Sequence, residues 1–559
     1  MSVGCVSILT MSSDAIDAIK QGYTFDEPAI ELGVLMADGE PQPDVGIRIP
    51  LRMLNRHGLV AGATGTGKTK TLQLLAEQIS NAGVPVFAAD IKGDLSGLAN
   101  PGTPSEKLLA RTQKIGQDWK PEASFTDFYA IGGQGAGVPV RTTVSSFGPT
   151  LLSKVLGLSD VQESSLSLVF HYADINELPL LDLSDLNELL RYLNSDEGKG
   201  ELKEIGGLSP QTAGVLLREL VAFSAQGAEA FFGEPEFNTN DLLYTNPQGK
   251  GLISLLELPN LQDRPMVFST FLMWLLADLF AELPEIGDAD KPKLVFFFDE
   301  AHLLFSGASK EFLRQIEQTV RLIRSKGVGV FFVTQQPTDI PDSVLAQIGS
   351  RVQHQLRAHT PNDAKALKQT VNTYPKTSYD LAEVLQSLGI GEAIVTVMDS
   401  RGAPTPVAWT RMRAPQASMD AIPPAELMQR VQRSPQMPKY GTPIDRDSAR
   451  EMLARKLEAG AAAAQEEAEA AARAKAEEKQ RIAEDKEIAR AQVRAEKEAA
   501  AAETRAAREE ERRIAREEKE RAAQAARVKS AAVRTGTNIL NQVGREVVRS
   551  IFGTARRRR

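Results

Sequence analysis

The segment Gly62-Ala63-Thr64-Gly65-Thr66-Gly67-Lys68-Thr69 constrains the fold more than any other part of this 559-residue chain. It matches G-x-x-x-x-G-K-[ST] at every fixed position. The apolar run Gly58-Leu-Val-Ala precedes it, and a helical pattern over about 69–81, closed by Gly83, follows it. A second apolar run, 84–90, comes next. Strand, glycine-rich loop, helix and strand make a βαβ unit, which implies a parallel sheet. Glycines let backbone N–H groups approach a polyphosphate, and the helix N-terminus adds positive partial charge. Lys68 reaches the β- and γ-phosphates and Thr69 binds magnesium. Residues 62–69 with Lys70 are therefore the expected binding set for ATP and Mg2+.

The run Leu294-Val-Phe-Phe-Phe-Asp299-Glu300 reads as a buried strand ending in two carboxylates. Asp299 is expected to hold the magnesium ion and Glu300 to act as the base that activates water, a role requiring a carboxylate just beyond the metal-binding one. The next strand, about 328–334, ends in Gln335, the expected γ-phosphate sensor. Arg321, Arg324, Arg351 and Arg357 flank this region, and Arg351 leads them as an arginine finger acting on a neighbouring subunit. His57 and His302 have no metal-ligand spacing and read as packing histidines. Asp90, Lys92 and Asp94, just past the second strand, are secondary candidates at the nucleotide edge.

Alternating segments within residues 1–50 resemble a short β lead-in, and 51–430 reads as the ATPase domain. Within it, 100–290 is expected to be a helical insertion carrying one strand near 251–258. Pro-containing segments mark 431–448 as a linker. From 449 to 535 the chain is built of Ala, Glu, Arg and Lys, and its scattered long apolar residues hold no heptad. That composition suits a solvated single helix or a weakly specified coiled coil.

Charge is unevenly placed. Residues 451–530 hold 19 basic and 19 acidic side chains and 531–559 hold 7 basic and 1 acidic, so the net −8 leaves about −14 on residues 1–450. An acidic body disfavours a broad nucleic-acid surface, although a narrow basic channel remains compatible with it. The end, 536–559, is basic and amphipathic, suited to dock on DNA, an anionic membrane or the acidic body. A single cysteine, Cys5, the lack of a signal-like N-terminus and the lack of a membrane-spanning run fit a cytoplasmic protein.

The runs Arg56-His-Gly-Leu-Val-Ala-Gly-Ala-Thr-Gly-Thr-Gly-Lys-Thr, Phe87-Ala-Ala-Asp-Ile-Lys-Gly-Asp-Leu, Phe298-Asp-Glu-Ala-His and Val333-Thr-Gln-Gln-Pro resemble the HerA/FtsK group of P-loop motor ATPases, most nearly its HerA-like (YjgR-type) helicase-domain members. The resemblance covers about 30–410. It implies a RecA-like α/β sheet, a hexameric ring with ATP between subunits, movement of duplex DNA and a nuclease partner. It gives Lys68, Thr69, Asp299, Glu300 and Gln335 the roles above, and Arg351 matches the arginine that follows the sensor. The long charged tail lies outside the pattern. An ATP-driven scaffold or protein-remodelling machine that does not act on DNA is the alternative.

Overall fold

The structure, a computed structural model, describes residues 11–203, 206–258, 265–287, 289–305 and 310–525. The basic end expected at 536–559 lies outside the described residues. The chain divides into two compact units, Met1–Leu457 and Glu458–Arg559.

The first unit is built on one twelve-stranded sheet. Its strands are β1 (Ala29–Ala37), β2 (Glu40–Pro50), β3 (Gly58–Ala61), β4 (Val86–Asp90), β5 (Thr126–Ile131), β6 (Val138–Val140), β7 (Ile253–Glu257), β8 (Leu294–Phe298), β9 (Val328–Thr334), β10 (Ser350–Gln353), β11 (Glu392–Thr396) and β12 (Ala408–Met412). The spatial order is β2-β1-β12-β11-β10-β3-β9-β8-β4-β7-β5-β6. From β10 to β6 every neighbouring pair is parallel, whereas β11, β12, β1 and β2 continue the sheet antiparallel. The α/β class expected from the βαβ unit is the one observed.

The central strands are continuous apolar runs because both faces of the sheet are covered. In β8, Phe296 and Phe298 feed one buried cluster while Val295 and Phe297 feed the other. The first cluster takes in helices Val144–Val155, Asp160–Ile175, Leu183–Asn194, Pro210–Ala225 and Pro265–Glu282. The second takes Leu72, Leu75, Ala76 and Ile79 from the helix Lys68–Asn81 that follows the glycine-rich loop.

Three boundaries differ from the sequence expectation. The segment 100–290 is not a helical insertion with one strand: β5 and β6 also lie in it and extend the parallel sheet. Their short runs, Thr-Asp-Phe-Tyr-Ala-Ile and Val-Pro-Val, carry no alternation because they are buried on both faces. The short β segments expected in the lead-in are present as β1 and β2 but belong to the main sheet, since Gly33, Val34 and Leu35 of β1 pair with Met412, Arg411 and Thr410 of β12. The stretch 431–448 is only partly linker-like: Val431, Ser434, Tyr440 and Ser448 are buried, while 442–447 are exposed. Of its prolines, Pro438 lies in the first turn of the short helix Met437–Tyr440. Tyr440 is fully buried, rests against Phe237 and donates to Asp241 Oδ2 at 2.7 Å.

The helix Ala449–Ala525 begins within the first unit. Ala449 and Leu453 are buried, and Lys456 Nζ donates to Glu201 Oε1 at 2.9 Å. Its residues 458–514 are solvent-exposed, including Ile482, Ile488, Val493 and Ile514. Among the described residues no helix is long and apolar enough to cross a membrane.

Candidate nucleotide site

Strand register assembles the site. Ala61 of β3 pairs with Thr334 of β9, Phe298 of β8 with Phe332 of β9, Ala89 of β4 with Phe298, and Asp90 with Glu257 of β7. The carboxyl ends of five adjacent parallel strands therefore deliver Gly62, Gln335, Asp299, Asp90 and Glu257 to one edge, the place where open α/β sheets bind ligands.

Gly67, with φ of 119°, occupies the N-cap of the helix Lys68–Asn81, and no side chain caps its first turn. The open N–H groups and helix dipole suit an anion. At Gly62 a Cβ would sit 2.5 Å from the Cβ of His354, so only glycine fits. Lys68 Nζ donates to the carbonyls of Gly62 and Ala63 at 2.7 and 3.3 Å. Burial pushes the lysine pKa down, against the opposing charges of Glu300 and Asp299. Thr69 is half-buried in the first turn. Lys70 faces the flank of the loop, where its ammonium bonds the Met419 carbonyl. A cavity of about 350 Å³ opens there, lined by Gly67, Lys70, Thr71, Arg111, Gly391 and Met412 among others.

Asp299 is buried, its Oδ1 accepts from the Glu300 N–H at 2.9 Å, and its Oδ2 has no protein partner. Burial, then the charge of Glu300, raises its pKa to about 6. Such an orphaned, reluctant carboxylate oxygen is what a cation would satisfy. Among the described residues no three His, Cys, Asp or Glu side chains converge on a metal position. The unpartnered carboxylate oxygen suits a hard divalent cation, which Asp299 and Thr69 would hold. Glu300 has a left-handed backbone, φ 46°, and its carboxylate pairs with Lys92. Burial raises its pKa, but the Lys92 contact and charge outweigh that and hold it low. Gln335 is exposed just past β9, between the β3 and β8 ends.

Arg351 lies away from the loop of its own chain. It is opposite Leu59, short of the strand end, and its guanidinium donates to Thr373 Oγ1 at 2.7 Å. Arg357 is the arginine at the loop, donating to the Thr64 carbonyl at 3.4 Å. His57 is a satisfied packing residue, with Nε2 on the Val320 carbonyl and Nδ1 accepting from Val330 N–H. Sequence reading passed over Glu257 as a site residue. Burial, then Asp90, raises its pKa to about 8, and Asp90 itself is raised to about 7 by burial and by Asp94. The signal was available: Ile253–Glu257, like Leu294–Phe298, is an apolar run leading to a terminal carboxylate.

His354, also missed, braces the loop from behind. Its Nδ1 donates to the Glu392 carbonyl at 2.8 Å, which leaves Nε2 to accept from the Thr71 hydroxyl at 2.9 Å. Burial lowers its pKa from 6.5 to about 4. The unfolded chain takes up this proton first as pH falls, so the contribution of His354 is complete above 6.5 and declines toward 4. The stability advantage of wild type over His354→Gln is therefore expected to shrink by about 3 kcal/mol across that window, followed by melts at a pH series. A pH-independent difference would contradict the neutral tautomer.

The sequence model of the family described as "Helicase HerA-like C-terminal" matches residues 36–559. The chain belongs to this family. Two relatives, each described as DNA double-strand break repair helicase HerA, come from Sulfolobus acidocaldarius and Sulfurisphaera tokodaii. The first is 23% identical over 63% of this chain and 64% of its own length, and the second 22% identical over 66% and 67%. This family member thus spans less than two thirds of the first relative. Among solved structures, plasmid coupling protein TrwB in complex with a non-hydrolysable ATP analogue aligns with TM-score 0.48 and 16% identity, covering 73% of this chain and 94% of that one.

Proposed function

We propose that this chain is an ATP-hydrolysing motor that assembles as a hexameric ring in the cytoplasm and moves duplex DNA. The observation that carries the hydrolytic part is the shared edge formed by the glycine-rich loop, Asp299-Glu300 and Gln335 on adjacent parallel strands. In this reading Lys68 and the loop N–H groups bind the phosphates, and Thr69 and Asp299 hold magnesium. The ion supplies charge that neutralises phosphate oxygens. Glu300 takes the proton from water, Gln335 senses the γ-phosphate, and the cavity beside Lys70 seats the nucleoside. Arg351 serves a neighbouring subunit as the finger once freed from Thr373. The DNA part is supported by family membership and by the names of the two HerA relatives, and a nuclease partner would accompany it.

The body charge of about −14 supports the second reading, a protein-remodelling ATPase. Duplex DNA is expected to stimulate ATP hydrolysis and to bind with affinity that falls steeply as salt rises. Steady-state ATPase with and without DNA, with a salt series of binding, decides between them: no stimulation together with no salt-sensitive binding would favour remodelling. Oligomeric mass measured with and without ATP tests the ring.

A further inference from the structure

We infer that Lys92 is a positioning residue for hydrolysis, one that pairs with Glu300 and holds its carboxylate off the water until the pair opens. The inference rests on the proposed role of Glu300 as the base. Lys92 Nζ contacts Glu300 Oε1, and the other oxygen, Oε2, lies 3.3 Å from His302 Nδ1. Oε2 is buried and makes no hydrogen bond, so Oε1, the oxygen held by Lys92, is the one that a water could reach.

The fold builds this pair from residues 208 positions apart. β4 and β8 are parallel neighbours with Ala89 opposite Phe298, so the turns leaving them lie side by side. The turn carrying Lys92 is pinned at its base: buried Asp90 accepts from Gly93 N–H at 2.7 Å and from Leu95 N–H at 2.8 Å. Gly93, with φ of 77°, makes that turn possible. On the other side, the left-handed backbone of Glu300 departs from strand geometry at the residue where β8 has just ended.

The two partners differ in access. The Glu300 side chain is 7% exposed and that of Lys92 is 46% exposed. An ammonium on a flexible four-carbon stem, open to solvent, is the half that can leave, while the enclosed carboxylate stays at the site edge. With Oε2 enclosed, a water approaching the γ-phosphate reaches Glu300 Oε1 only when Lys92 has moved. The ion pair therefore sets how often the base is in position and not whether nucleotide binds.

The test is steady-state ATPase of the full chain in four forms: Lys92→Met, Lys92→Arg, Glu300→Gln and the Lys92→Met/Glu300→Gln double variant, with thermal melts to confirm folding. Lys92→Met is expected to raise kcat about fivefold, the population shift that a partly exposed ion pair sustains, with KM for ATP unchanged. Lys92→Arg, which keeps a cation in place, should return the rate to the wild-type level. The double variant should be as slow as Glu300→Gln alone. A Lys92→Met rate at or below wild type overturns the inference, and so does a double variant that keeps the gain. Wild-type hydrolysis by Glu300→Gln overturns the base assignment and the inference with it, so the two failures are distinguishable.

Discussion

Replacing Lys68 by alanine is expected to lower ATPase kcat/KM by at least about 10²-fold, the scale on which loss of one preorganised donor to a transition-state charge is felt. Lys68 is 8% exposed, and its ammonium already lies inside the loop on the Gly62 and Ala63 carbonyls. These neutral acceptors are weaker partners than phosphate oxygens, because hydrogen bonds between two ionised groups are shorter and stronger. A phosphate can therefore draw the lysine from the carbonyls without leaving a buried charge unpaired. Alanine removes that donor and also strips the Gly62 carbonyl of the lysine bond, at a stability cost of about 1 kcal/mol. The fold should survive, since the apolar face of the helix Lys68–Asn81 is untouched. Parallel melts and nucleotide titrations check this, and a folded Lys68→Ala chain hydrolysing ATP at the wild-type rate would remove the loop from the active site.

The parts of the molecule legible in the sequence are those whose cause is local. The loop from Gly62 to Thr69 and the run ending in Asp299-Glu300 carry their conformation and chemistry within a few residues, and the structure places them at the ends of the two strands that flank β9. Long-range pairing leaves no such imprint. Nothing in the alternation of Ala29–Ala37 states that it joins β12, and nothing in Thr126–Ile131 separates a buried parallel strand from the edge of a helix. Proline marks 431–448 as a linker, yet Pro438 lies in the first turn of Met437–Tyr440, because the same residue breaks helices in their interior and begins them at the first turn. For the same reason the site was half visible. Residues of single motifs could be read in order, while Lys92 beside Glu300 and Glu257 beside Asp90 exist only through the order β8-β4-β7. Arg351 is read from its position after the sensor, and its register within its own chain, opposite Leu59 and bonded to Thr373, does not bear on a role in a neighbouring subunit.

Glu300→Gln is expected to lower kcat by about 10²- to 10⁴-fold, the range that a positioned general base contributes, while nucleotide still binds. Glutamine keeps the shape of the side chain and an oxygen for Lys92, so the pocket should not collapse, but its amide cannot take the proton from water. The effect on Asp299 runs in a useful direction. The charge of Glu300 is, after burial, the second cause that lifts the Asp299 pKa to about 6. Removing that charge lets Asp299 ionise more readily, and an ionised carboxylate is the better partner for a divalent cation. Magnesium dependence should therefore hold or sharpen in Glu300→Gln while turnover collapses. Asp299→Asn, which removes the orphaned carboxylate oxygen itself, should instead weaken the response to magnesium. Titrating Mg2+ against nucleotide binding and against turnover in both variants separates the two roles, and equal loss of magnesium response in both would show that the neighbouring carboxylates act as one ligand set and not as holder and base.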